Sequence, residues 1–230
     1  MKFGVVTFPG SNCDQDMIYV LEDLLDQKVE KLWHKDTDLK DVDFVVLPGG
    51  FSYGDYLRSG AIAKLSPIMG EIIKHANQGG YVMGVCNGFQ ILTETGLLEG
   101  ALLHNNNQKF ICKNAWLKPI SRNTAITKGL NTDGVYKIPI AHAEGRYYAP
   151  SETIERLSSN DQILFKYCST EGEISGEANP NGSVDNIAGI CNTERNVFGM
   201  MPHPERAADE ELANTDGKEM FLSIIENCQP

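Results

Sequence analysis

The chain has 230 residues, a formal net charge of −11 and 41% hydrophobic residues. This length suits one α/β domain over residues 1–230 with a sizeable core. The negative charge argues against nucleic acid or an anionic membrane surface as partner, and the apolar runs are too short to span a bilayer.

Met1-Lys2 leads straight into an apolar segment, without the charged, apolar and small-residue regions of a secretory leader. The six cysteines show no Cys-x-x-Cys spacing. Free thiols in a reducing cytoplasm are expected, with no metal site.

In chain order, Lys2 to Phe8 reads as a strand. Asp14 to Gln27 reads as an amphipathic helix with Met17, Leu21 and Leu24 on one face and Ser11 or Asn12 as caps. Val29 to Trp33 and Phe44 to Leu47 are strands. Pro67 to Gln78 is a helix that starts on proline and stops at Gly79-Gly80. A short strand at Tyr81 follows, then a helix running to Gly96. This alternation predicts a doubly wound, mostly parallel sheet with helices on both faces. The second half changes character. Lys109 to Leu117, Val135 to Ile140, Gln162 to Tyr167, Ile187 to Asn192 and Asn196 to Met200 read as strands with turn-rich joins and extra β-hairpins. Asn179-Pro180-Asn181-Gly182 reads as a turn within a hairpin, and Asn105-Asn106-Asn107 as a loop tip. Gly217 to Asn227 is a closing helix with Met220, Phe221, Ile224 and Ile225 inward.

The chemistry centres on Gly84-Val85-Cys86-Asn87-Gly88. Small residues on both sides of Cys86 allow a sharp strand-to-helix turn, the nucleophile-elbow pattern with cysteine in place of serine. The elbow aims the sulfur at the positive end of a helix, which favours the thiolate. Met201-Pro202-His203-Pro204-Glu205 holds a histidine between prolines. If extended, it turns His203 and Glu205 the same way, which predicts the triad Cys86–His203–Glu205. Phe44 to Leu47 runs into Pro48-Gly49-Gly50, where backbone N–H groups can approach a ligand. The N–H groups of Gly50 and Asn87 are therefore the oxyanion-hole candidates. Gln90 lies one helical turn after Cys86 on its face, and reads equally as a solvated polar residue. His142, Glu144 and Arg146 alternate. An extended segment would put them on one face, to recognise an amino acid's charged groups, dock a partner, or line a solvated edge. The other five cysteines read as packed or exposed, and Cys13 has no evident chemistry.

These elements in this order resemble the class I glutamine amidotransferases, which use a Gly-x-Cys-x-Gly elbow and a distant His-x-Glu. Within that family, Phe8-Pro9-Gly10-Ser11-Asn12-Cys13-Asp14, Gly49 to Arg58, Cys86 to Gln90 and Met201 to Arg206 look like a small glutaminase subunit of purine biosynthesis. The resemblance implies a flavodoxin-like fold. It implies hydrolysis of glutamine to glutamate and ammonia through a cysteine thioester, with Gln90 helping to hold the glutamine. It also implies that ammonia passes to a separate large synthetase subunit, which uses ATP and Mg to convert formylglycinamide ribonucleotide to its amidine. A small accessory subunit would complete the complex, and this chain would need no cofactor. The alternatives are another cysteine hydrolase on this fold or an inactive regulatory subunit. The first lacks a distant His-Pro-Glu paired with Pro-Gly-Gly-Phe, and the second need not keep Cys86, His203 and Glu205.

Overall fold

Short β-branched and aromatic runs make the strands, and glycine and proline punctuate them. In chain order, a computed structural model that describes residues 1–228 contains β1 (Lys2–Thr7), α1 (Asp14–Tyr19, continuing as a π-helical turn, Val20–Leu24), β2 (Lys28–Trp33), β3 (Phe44–Leu47), α2 (Pro67–Asn77), β4 (Tyr81–Val85) and α3 (Asn87–Thr95). It continues with β5 (Ala101–Leu103), β6 (Ile111–Pro119), β7 (Tyr136–His142), β8 (Arg146–Tyr148), α4 (Ser151–Ser159), β9 (Ile163–Cys168), β10 (Ile187–Cys191), β11 (Val197–Met200) and α5 (Asp216–Asn227).

Nine strands form one sheet in the order β2-β1-β3-β4-β11-β10-β9-β6-β7. The first five are mutually parallel, as the alternating pattern predicts. From β11 onward each pairing is antiparallel. The reason is the connection. The turn through Asn192–Asn196 is too short to return a chain parallel to itself. β5 and β8 pair separately as a two-stranded ribbon.

Phe44 packs against Phe3, Tyr81 and Phe198, at ring-centroid distances of 5.1, 6.0 and 5.7 Å, stacking on Tyr81 and tilting against the other two. These rings tie β1, β3, β4 and β11 together through a buried aromatic cluster. Phe3, Phe44 and Tyr81 sit at the amino ends of their strands, so the carboxyl ends are left for the loops after β1, β3, β4 and β11. That edge is where ligands bind in open parallel sheets.

Several local expectations change. No side chain caps α1. Cys13 is its N-cap residue, and the Ser11 hydroxyl instead accepts from Phe8 N at 3.0 Å. The helix widens into a π turn and ends at Leu24, short of Gln27. Asn179–Gly182 is an Asx turn, with Asn179 Oδ1 accepting from the N–H groups of Asn181 and Gly182. It lies inside the long connection between the antiparallel neighbours β9 and β10, within a hairpin as expected. The helix α4 has one buried residue, Leu157, too sparse a stripe to read from sequence. Among the described residues no helix is long and apolar enough to cross a membrane.

Candidate active site

Cys86 stands between β4 and α3 with φ +50° and ψ −105°. Non-glycine residues rarely adopt positive φ, and such strain concentrates at functional positions. The neighbouring strands hold it there. The Cys86 N–H donates to Met200 O on β11 at 2.8 Å, and Gln90 N–H donates to Cys86 O at 3.1 Å. Gly88 is required because α3 begins against the end of β3, where a Cβ would collide with the Leu47 carbonyl oxygen. The elbow prediction is thus met by packing as well as by pattern. The Cys86 thiol faces Ala141 O of β7 at 3.8 Å.

His203 follows β11, and its N–H donates to Pro139 O of β7 at 2.8 Å. Its ring Nδ1 lies 2.7 Å from Glu205 Oε1, with both residues buried. A carboxylate only accepts, so Nδ1 carries the hydrogen and Nε2 is left as the working nitrogen. The pair does not form in an extended segment. Pro204–Arg206 is a 3₁₀ turn, and that turn brings Glu205 back to the ring. Burial works against the imidazolium, but the Glu205 carboxylate and the Cys86 and Cys13 thiols beside it outweigh burial. The His203 pKa is raised well above its ordinary value.

Gly50 has φ +141°, and a Cβ there would stand 2.8 Å from Asn12 N and from Ser11 Cα. It bridges Ser11 in antiparallel fashion. Its own N–H has no acceptor among the described residues. Asn87 is the first residue of α3, so its N–H has no acceptor within the helix. Both oxyanion candidates are therefore unspent donors at the carboxyl edge.

The Asn87 side chain, fully buried, does something the sequence did not reveal. Its Oδ1 accepts from Ser52 N at 3.2 Å. Its Nδ2 donates to Gln90 Oε1 at 2.9 Å and to Asp55 Oδ1 at 3.3 Å. Gln90 Nε2 then donates to Glu144 O at 2.6 Å. One amide thus bolts the Gly50 loop to the elbow helix, and Gln90 extends the bolt to the loop after β7. Gln90 is buried, not solvated, and both ends of its amide are engaged.

The predicted row of His142, Glu144 and Arg146 does not exist, because the chain bends at Ala143–Glu144. His142 is buried at the end of β7, with Nδ1 3.1 Å from Asn105 Oδ1. Glu144 reaches the loop after β3, with Oε2 accepting from Ser59 N at 3.3 Å and Oε1 3.2 Å from His104 Nε2. Arg146 turns away, its Nε donating to His104 O. Asn105 is likewise no loop tip. It is fully buried, its Nδ2 donates to Lys109 O and His142 O, and its Oδ1 also accepts from Gly145 N. Asp55 lies beside Asn87. Burial pushes its carboxyl above the usual range, hydrogen bonds from Ser59 and Asn87 pull it back, and the Glu144 carboxylate nearby pushes it further up.

A strained cysteine on an elbow, a histidine with its far nitrogen oriented by a carboxylate, and two free N–H donors define a cysteine-dependent acyl-transfer site on an α/β sheet. Comparison with known proteins agrees. The family model described as "CobB/CobQ-like glutamine amidotransferase domain" matches residues 1–223. Among curated relatives, the phosphoribosylformylglycinamidine synthase subunit PurQ of Synechocystis is 57% identical over 222 residues, covering 96% of this chain and 99% of the relative. The PurQ subunit of Aquifex aeolicus is 52% identical over 225 residues, covering 98% and 99%. A chain in the structure of PurLQS from Thermotoga maritima superposes with a TM-score of 0.87 at 41% identity, covering 99% of each. The chain belongs to the glutamine amidotransferase family and, within it, to the PurQ subunits of phosphoribosylformylglycinamidine synthase.

Proposed function

We propose that this chain is the glutaminase subunit of phosphoribosylformylglycinamidine synthase and works through Cys86, His203 and Glu205. The Cys86 thiolate attacks the side-chain amide carbon of glutamine. The N–H groups of Gly50 and Asn87 stabilise the oxyanion. Protonated His203 gives the Nε2 proton to the leaving nitrogen, and ammonia departs. Neutral His203 then takes a proton from water, which hydrolyses the glutamyl thioester and releases glutamate. Glu205 keeps the ring in one tautomer throughout. Glu144, with Gln90 and His142 shaping its loop, serves as a contact for the substrate's charged groups.

On this reading ammonia passes to a large synthetase subunit, which converts formylglycinamide ribonucleotide to the amidine with ATP and Mg, and a small accessory subunit joins the complex. This chain needs no cofactor for its own step and works in the cytoplasm. The observation that carries the reading is the His203–Glu205 contact of 2.7 Å behind a strained Cys86. A glutamine-mimicking diazo-ketone tests it. Mass spectrometry should find label on Cys86 alone, with glutamine protecting. Label spread over several cysteines, or indifferent to glutamine, removes the nucleophile assignment.

A further inference from the structure

The mechanism leaves the buried Cys13 thiol unused. It comes from the loop after β1, and its S–H donates to Asn12 Oδ1 at 3.3 Å. One ligand atom each from Cys13, His203 and Glu205 lie within 4.8 Å of one another, and all three residues are buried. Gly49 lies against both the histidine and the thiol. A Cβ on Gly49 would stand 2.6 Å from His203 Cε1 and 3.1 Å from Cys13 Sγ.

A second observation points to a ligand. Glu205 Oε2 is buried and accepts no hydrogen bond among the described residues. An unsatisfied buried carboxylate oxygen costs free energy, and a cation relieves that cost. The donors are a sulfur, an imidazole nitrogen and a carboxylate oxygen. This set suits zinc and its soft relatives, whereas magnesium and calcium prefer oxygen alone. Zinc bonds of roughly 2.0–2.3 Å put ligand atoms about 3.5 Å apart. Closing from 4.8 Å needs about 1 Å of side-chain movement.

We propose that Cys13, His203 and Glu205 form an inhibitory site for a soft divalent cation of the zinc class. The cation takes a His203 ring nitrogen and a Glu205 oxygen, breaking the hydrogen bond between them and releasing the imidazole and Cys13 thiol protons to solvent, so His203 can no longer carry protons for Cys86. The thiolate comes from Cys13, and Cys86 is not needed for binding. The inhibition rests on the glutaminase reading; the binding does not.

Cadmium provides the binding probe through its thiolate-to-metal absorption in the ultraviolet. The parent chain and Cys86→Ala should each bind one cadmium, with zinc competing. Cys13→Ser should lose the absorption band and bind at least about tenfold more weakly. Glu205→Gln should weaken binding and keep the band. Thermal melts of the metal-free variants establish that each is folded. Equal cadmium affinity in Cys13→Ser, or loss of the band in Cys86→Ala, overturns the site. In the activity arm, zinc should suppress glutamate release by the parent, a chelator should restore it, and Cys13→Ser should tolerate at least tenfold more zinc. Binding without suppression overturns the inhibitory role. A parent without glutaminase activity even when assembled with the large subunit, ATP and ribonucleotide removes the glutaminase reading, and the cadmium arm still decides the site.

Discussion

The two buried histidines near Cys86 are held in opposite states. Burial drives the His142 pKa down to about 4, and the positive charge of His203 drives it the same way. The unfolded chain takes up this proton as pH falls through 6.5, while the folded chain resists until about 4. His142 therefore contributes stability that is lost as pH falls across that window, about 3 kcal/mol in all. His203 has the opposite sign. Its folded pKa is raised, so its contribution is complete below 6.5 and fades as pH rises through the folded value. Urea midpoints at pH 7 and pH 4.5 should differ less in His142→Gln than in the parent; equal acid shifts in both refute the assignment. Kinetically, His203→Ala should abolish turnover, since proton donor and water-activating base vanish together. Glu205→Gln should be milder, with losses of up to about 10⁴ where the wrong tautomer results. Near-normal kinetics in His203→Ala would show that another group is the base.

Between elements, the distance from oxyanion glycine to elbow is set by side chains and not by the backbone alone. Tyr53, Gly54 and Asp55 follow one another at φ +57°, +72° and +53°, a run of left-handed residues that two tethers restrain. The Tyr53 hydroxyl meets His34 Nδ1 at 2.6 Å and Ser66 Oγ at 2.9 Å. The Asn87 amide secures Ser52 and Asp55 at the other end. Asn87→Leu keeps the volume and removes the bolt. It should lower kcat for glutamine hydrolysis by about 10²-fold, as small misplacements of catalytic groups do, with far less change in KM. Ammonium-dependent synthesis by the assembled enzyme should be unaffected. A rise in KM alone would mean that Asn87 serves substrate binding instead.

For the whole molecule, the issue is waste. A glutaminase that runs alone releases ammonia to solvent. The Gly50 peptide can reorient at little steric cost, and the loop it belongs to exposes Tyr56 and Leu57 at 87% and 81%. Docking on that loop can therefore complete the oxyanion hole. The chain alone should hydrolyse glutamine weakly. Adding the large subunit with ATP and ribonucleotide should raise the rate by orders of magnitude, mainly through kcat. Steady-state glutamate release with and without partners measures this. Full activity in the single chain would refute the switch and leave the triad standing.

Much of the site was legible because its chemistry is local in the chain. Cys86 with its flanking glycines, and His203 with Glu205 two residues on, carry their own geometry within a few residues, and the parallel half of the sheet follows from alternating strands and helices. What tertiary structure decided lies in contacts between distant segments. Asn105 meets His142, Asn87 meets Ser52, Gln90 meets Glu144, and Cys13 comes to rest beside His203. A polar residue in a loop has no periodicity to announce a buried partner far along the chain. Asn105 therefore read as a loop tip and Cys13 as packed or exposed without evident chemistry, until the fold supplied their neighbours.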